Sequence, residues 1–333
     1  MLKKIISLFL AASLSLSCLS GCGSKSEKQE DSSAKLLVDG KEVSIPYLAK
    51  VGDDEIPYDE FRYYFLNYKS QVEENDPDIW ETDENAQKNM IHSAYQQTMA
   101  NYVIRTSAKE YGVELSETES AAVDSSIQES INNAGSEEDF NKILESQSLT
   151  PELYRKVLET QLLSSKLLNY LCENDFKTQY GDSVISEIKS NFIRASHILV
   201  EEDQEELAEE LTQRARNGED FNYLVEQYGK DEGMKNNTNG YYFTEGEMVT
   251  EFYEAAKALK EGEVSDPVKS EYGYHVIKRL PLEDSYIQEN LTELMKKTDT
   301  IGDAYRNFLT NKIDSLKVEK HENFDKISVD SVQ

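Results

Sequence analysis

Cysteine, histidine and tryptophan are scarce in this 333-residue chain, with three, four and one copies. The cysteines are Cys18, Cys22 and Cys172. Cys18 and Cys22 stand together at the N-terminus, which leaves Cys172 as the one cysteine in the body of the chain. Cys172, in the apolar run 167–172, reads as a small buried hydrophobe. Positive charge is scarce too. Sixty-four acidic residues stand against 35 Lys and Arg, a formal charge of −29, which excludes nucleic acid as a partner because phosphate backbones call for clustered cations. The same charge makes the body of the protein soluble and repels it from anionic lipid. Glycine is rare over residues 58–190, where only Gly112, Gly135 and Gly181 occur, and no fixed period marks a solenoid.

The one long apolar run is residues 5–19, preceded by Lys3 and Lys4. It is short for a membrane span and reads as a secretory signal over 1–21. It ends Leu19-Ser20-Gly21-Cys22, which resembles the bacterial lipobox, where a diacylglyceryl group joins the cysteine sulfur and cleavage follows. That resemblance implies a protein anchored to a membrane at Cys22 rather than spanning it, since two or more acyl chains hold stably where one does not. Residues 22–35, rich in Ser, Lys and Glu, read as a disordered tether. As a flexible coil they reach about 20 Å, enough to clear the lipid headgroups.

Residues 36–51 look extended, and 58–190 look helical. Phe61, Tyr64, Phe65, Tyr68 and Val72 recur at helical spacing, as do Ile91, Tyr95, Met99 and Tyr102. Ser116 with Glu119 reads as a capping box, and Thr150-Pro151 as the start of a helix running to about residue 172. From 192 the character changes. Seven of the 15 glycines lie between 218 and 273, and strand-like runs alternate with short helices. The pattern predicts a strand over 193–200, helices marked by Leu207–Ala215, Phe221–Tyr228 and 248–259, and an antiparallel pair over 264–269 and 273–280. Helical spacing returns over 284–315, and a short last strand is expected at 316–319.

Two of the four histidines sit inside apolar strand-like runs, Ala195-Ser196-His197-Ile198-Leu199-Val200 and Gly273-Tyr274-His275-Val276-Ile277. Between them lie Asp231, Gly246-Glu247-Met248 and Phe252. This interval resembles the parvulin family of peptidyl-prolyl isomerases over roughly 192–281. The resemblance implies that His197 and His275 lie side by side under the active site, that Asp231 stands beside the substrate peptide bond, and that Met248 and Phe252 wall the pocket for the proline ring. Tyr272 falls where relatives carry a small hydroxyl residue or Tyr and is placed among the catalytic group. No third ligand stands at a spacing that would make the histidines a metal site, and the chemistry implies no cofactor. The bland alternatives are satisfied core histidines, a solvated Asp, and a core stripe of Met248, Phe252, Ala255 and Leu259.

One departure stands out. Where the family has a Gly-Gly-Asp-Leu-Gly type of turn, this chain has Asn236-Asn237-Thr238-Asn239-Gly240, so Asn239 is expected to put an amide into the proline pocket. Some parvulins require a phosphorylated residue before proline and carry a basic cluster after the first strand. Here that loop is Glu201-Glu202-Asp203-Gln204-Glu205-Glu206, which repels a dianion, so non-phosphorylated X-Pro is the expected substrate.

With the helical stretches on either side, the layout resembles PrsA-type extracellular foldases and SurA-type chaperones. The expected fold class is α+β: a parvulin-like domain (191–281), a small antiparallel sheet with surrounding helices, inserted in a mostly helical chaperone domain (36–190 and 282–333). The expected function is isomerase and chaperone for unfolded or partly folded secreted polypeptides, on the outer face of a Gram-positive-type cell membrane. A holdase with a weak or inactive parvulin domain is the alternative, and a solute-binding lipoprotein is a more distant one, disfavoured by the Gly-poor helical region. Monomer and homodimer are both left open. Cys22→Ala is expected to release the protein from the membrane fraction or leave the precursor uncleaved on fractionation; processed, membrane-bound protein in that variant would remove the lipoprotein reading.

Overall fold

The structure, a computed structural model, describes residues 35–332 apart from Thr238. The leader segment 1–21, Cys22 and the tether up to residue 34 lie outside the described residues. β1 (Lys35–Val38) and β2 (Lys41–Ser44) pair antiparallel across Asp39-Gly40, both at positive φ, 51° and 71°, the backbone a two-residue hairpin turn demands. β3 (Tyr47–Val51) and β4 (Asp54–Pro57) form a second hairpin. Helices follow: α1 (Tyr58–Asn75), the short α2 (Ile79–Thr82), α3 (Ala86–Glu110), α4 (Glu117–Ala134), α5 (Glu137–Ser146) and α6 (Pro151–Leu171). Ser116 and Glu119 close the capping box at the head of α4, with bonds of 2.7 and 3.2 Å. Thr150 Oγ1 accepts from Leu153 N at the head of α6.

The chain divides into two compact units, one holding the described residues up to 167 and from 307 onward, the other 168–306. In the first, β3 also pairs with a strand at Val318–Lys320, giving a three-stranded sheet with β3 at its centre. That strand starts two residues later than the sequence pattern predicts, because Leu316 N still bonds Ile313 O as part of the preceding helix. Tyr58, Phe61 and Phe65 on α1 pack with Leu36, Ile45, Leu48, Met90 and Ala94, and with Phe324, Ile327 and Val329 near the C-terminus. Tyr63 looks the other way, onto Phe140, Leu144 and Leu153.

A buried carboxylate joins three of these helices. Glu60 on α1 is 1% exposed. It takes both guanidinium nitrogens of Arg105 on α3, each at 3.0 Å, Lys156 Nζ of α6 at 2.8 Å and Asn101 Nδ2 at 3.0 Å. Burial alone pushes this carboxyl up, but Arg105 and Lys156 outweigh it and hold it below the ordinary value.

In the second unit a π turn (Cys172–Phe176) and α7 (Lys177–Asn191) prolong the helical run past the end expected at residue 172. There follow β5 (Ile193–Val200), α8 (Glu205–Arg216), α9 (Phe221–Tyr228), α10 (Glu232–Lys235), β6 (Tyr241–Phe243), α11 (Thr250–Ala258), β7 (Val268–Ser270), β8 (Gly273–Leu280), α12 (Asp284–Glu289), α13 (Leu291–Met295) and α14 (Asp299–Ser315). The sheet is wholly antiparallel in the order β6-β5-β8-β7. β7 is shorter than the predicted 264–269 strand. Val264 makes only an isolated bridge to Lys278, and Pro267, with no N–H to donate, delays pairing until Val268.

Strand alternation splits this core between two faces. Ile198, Val200 and Val276 face α8 and α9, against Leu211, Leu224 and Val225. Ile193, Ala195 and Ile277 face α11, against Phe252 and Ala256. His197 and His275 belong by alternation to the α11 face. Two parts of an α+β fold are thus in place: a small antiparallel sheet among helices, and a mostly helical remainder.

Glu60→Ala is expected to destabilise the protein by about 1–3 kcal/mol, since it removes the charge-assisted hydrogen bonds that tie the partly exposed Arg105 and Lys156 to α1, read as a lower urea midpoint. Because the folded carboxyl titrates below the unfolded value of about 4.3, the contribution is complete above that pH and is lost as pH falls through the folded value. The wild-type advantage over Glu60→Ala in urea should therefore shrink on acidification below about pH 4.

Candidate active site

β5 and β8 pair with His197 opposite Ile277 and His275 opposite Leu199, which sets the two imidazoles diagonally on one face. Both are 5% exposed, and their Nδ1 atoms lie 3.1 Å apart. The other nitrogens are also bound. His197 Nε2 meets Asp231 Oδ2 at 2.8 Å, and His275 Nε2 meets Ser270 Oγ at 2.7 Å. Tyr241 OH donates to the same Asp231 oxygen at 3.0 Å, and Gly233 N donates to Oδ1 at 2.9 Å. Phe252, 2% exposed, stands edge-on to both imidazoles, with ring centroids 5.1 Å from His197 and 5.4 Å from His275.

Local sequence explains the placement. Asp231 leaves α9 and caps α10, so its carboxylate turns back toward β5. Gly233 leaves room for the Tyr241 hydroxyl: a Cβ there would lie 2.5 Å from it. Gly273 opens β8 at φ +123°, where a Cβ would sit 2.1 Å from Val200 O, so only glycine lets the β7–β8 turn close against the end of β5.

The protons follow from the charges. The hydrogen bond from His197, opposed by partial burial and helped by Tyr241, holds the Asp231 carboxyl well below the usual carboxylate range. Ionised, it only accepts. Burial, reinforced by His197, brings His275 down to about 4, so that ring is neutral near pH 7. One ordering of the hydrogen bonds satisfies every atom: His197 donates from Nε2 to Asp231, His275 donates from Nδ1 to His197, and Ser270 donates to His275 Nε2. Burial and then Asp231 push Tyr241 up to about 12, so it stays a donor.

The structure thus brings together His197, His275, Asp231 and Phe252. Met248 is half-buried and packs on the Phe252 cluster. Two expected members are elsewhere. Tyr272 is 63% exposed at the tip of the β7–β8 turn, and only its backbone N–H reaches the network, at 3.1 Å from Ser270 Oγ; the hydroxyl on His275 is that of Ser270. Asn239 does not enter the pocket. Its side chain is exposed, while its carbonyl accepts from Arg194 Nε at 2.6 Å, which fixes the turn with the amide outward. Ser270 and Tyr241 are the residues that sequence reasoning missed. Ser270 ends the strand paired with His275's, and that pairing is the signal that could have found it.

A PPIC-type peptidyl-prolyl isomerase domain is the class that this sheet and its histidine pair define: the family model of that domain matches residues 197–280, and the SurA-like N-terminal domain model matches residues 2–168. The chain belongs to the family with a SurA-like N-terminal domain, whose model spans just over half of it, and the two matched parts together fit a PrsA-like parvulin foldase. It is 34% identical over 192 residues to a foldase protein PrsA of Oceanobacillus iheyensis, covering 56% of this chain and 60% of that protein. It is 29% identical over 340 residues to a foldase protein PrsA of Caldanaerobacter subterraneus, covering 98% and 95%. A crystal structure of PrsA from Bacillus subtilis is similar at 24% identity with a TM-score of 0.38, covering 68% of this chain and 84% of that one. The chain spans 31% to 60% of the length of several curated relatives it matches.

Long-range proton–nitrogen NMR at pH 7 is expected to show His197 protonated at Nε2 and His275 at Nδ1. On acidification the His275 ring should stay neutral until pH approaches about 4. The reverse tautomers, or a His275 titrating near its ordinary value of about 6.5, would contradict the network.

Proposed function

We propose that the protein is a peptidyl-prolyl cis–trans isomerase and chaperone that assists the folding of polypeptides, held by a lipid at Cys22 on the outer face of the membrane. The observation that carries the isomerase reading is the closed polar chain from Ser270 through His275 and His197 to Asp231, roofed by Phe252. No helix among the described residues is long and apolar enough to cross a membrane, and anchoring rests on the lipobox resemblance.

Rotation about an X-Pro bond faces a barrier of about 18–20 kcal/mol because amide resonance is lost as the bond twists. Resonance places partial negative charge on the carbonyl oxygen of the planar form. An apolar wall of Phe252 and Met248 grips the ring and removes water, which disfavours that charge-separated form. The Asp231 carboxylate beside the oxygen disfavours it further, so the site favours the twisted bond over either planar one. The histidines hold Asp231 in place and ionised; they take no proton from the substrate. The acidic loop after β5 suits non-phosphorylated substrates. Partly folded chains are the proposed partners of the helical unit.

The rival, a holdase with a weak isomerase, draws its support from an amide in the proline pocket. With Asn239 exposed, that support falls away. In an assay of proline-limited refolding, Phe252→Leu is expected to lower kcat/KM at least about tenfold, a loss of about 1.4 kcal/mol of transition-state binding. Asn239→Leu should leave it within about twofold. Full activity in Phe252→Leu, with the fold intact by circular dichroism, would remove Phe252 from the pocket.

A further inference from the structure

Arg279 is an anomaly in so acidic a chain. Six other described arginines each hold a carboxylate within ion-pairing distance. Arg279 is half-buried on β8, and among the described residues no carboxylate pairs with it. Among the described residues the one hydrogen bond of its guanidinium is a long contact of 3.4 Å to Ala256 O, its Nε is buried without an acceptor, and Glu261 acts on it only from a distance. Burial accordingly weighs against its charge.

This guanidinium lines a cavity of about 550 Å³. Phe192, Ile193 and Tyr253, all nearly buried, supply apolar wall. Lys257 provides a second cation, lying over the Tyr253 ring at 5.2 Å and without an ion pair among the described residues. The acids nearby do not serve Arg279. Glu187 is spent on the backbone N–H groups of Asp299 and Thr300, at 2.7 and 3.1 Å, while Glu245 and Asp299 are exposed and screened by solvent.

Alternation ties the cavity to the proposed active site. Arg279, Ile277 and His275 share one face of β8, and Ile193, Ala195 and His197 share the same face of β5. The cavity therefore lies about 13 Å along the strands from the histidines, roughly four residues of extended chain. A lone small anion would leave most of such a volume empty, whereas a peptide segment fills it.

We propose that the cavity at Arg279 and Lys257 is a subsite for a carboxylate side chain of the client polypeptide, carried about four residues from the proline. The subsite rests on the isomerase reading and adds a preference for acidic client segments. Arg279 takes the carboxylate through charge-assisted hydrogen bonds, Lys257 adds attraction at the mouth, and Tyr253 packs the aliphatic stem.

The test uses the full chain and proline peptides that carry Glu or Gln four residues to either side of the proline. The Glu peptide is expected to show a KM about fivefold lower than its Gln twin, with kcat unchanged. That advantage should disappear in Arg279→Gln, diminish in Lys257→Gln and survive in Arg279→Lys, while the Gln peptide reacts alike in all. Equal KM values in the wild type, or a Glu preference untouched by Arg279→Gln and Lys257→Gln, would overturn the subsite. Calorimetry with a proline-free Glu peptide separates it from the underlying reading. Binding that depends on Arg279, without turnover of any peptide, keeps the subsite and removes the isomerase; turnover of both peptides without such binding does the opposite. Acetate and inorganic phosphate form the last arm: saturation by either at micromolar concentration, with no Glu-peptide binding, would make this a small-anion site and overturn the client subsite.

Discussion

The bond between His197 Nδ1 and His275 Nδ1 constrains the second unit more than any other contact. Two imidazoles at 5% exposure each must find partners for two ring nitrogens, and they can do so only when β5 and β8 pair in one register. A slip by one residue would send one ring to the α9 face, leaving its partner buried and unbonded at a cost of about 1–3 kcal/mol. The bond thus specifies the strand pairing, the strand pairing fixes where Asp231 and Ser270 must arrive, and Phe252 seals the result.

The two units hold a buried or half-buried carboxylate ionised by different means. Glu60 is enclosed and meets Arg105 and Lys156, full charges that outweigh its burial. Asp231 meets an imidazole, a phenol and a backbone N–H, and stays partly open to solvent. The first arrangement neutralises its charge and joins helices. The second leaves the carboxylate partly open to solvent beside the histidine pair.

Much of this was legible in the residues. Capping by Ser116 and Glu119, the start of α6 at Thr150, and the opposite faces of β5 all follow from local pattern, because each is decided within a few residues of chain. The short strands β4 and β6 were not legible: they are four and three residues long, too short for apolar alternation to mark them. The Asn239 side chain was misplaced for a related reason. Its direction is set by Arg194, 45 positions away, and no local spacing reports that. Tyr272 was expected among the catalytic group, yet the turn leaves it 63% exposed, and the hydroxyl that meets His275 is that of Ser270.

The sequence by itself determined the class of the longer segments, the sign of the surface charge, the pair of histidines in apolar strands and the aromatic four residues after Met248. These depend on composition and on periods of two or three to four residues, which need no partner to be read. Only the tertiary structure decided which hydroxyl reaches His275, which groups the imidazole nitrogens meet, that Asn239 is exposed, and that Arg279 is left without a carboxylate among the described residues. Each of those depends on atoms brought together from distant parts of the chain, where register, burial and competition among polar groups choose the partner.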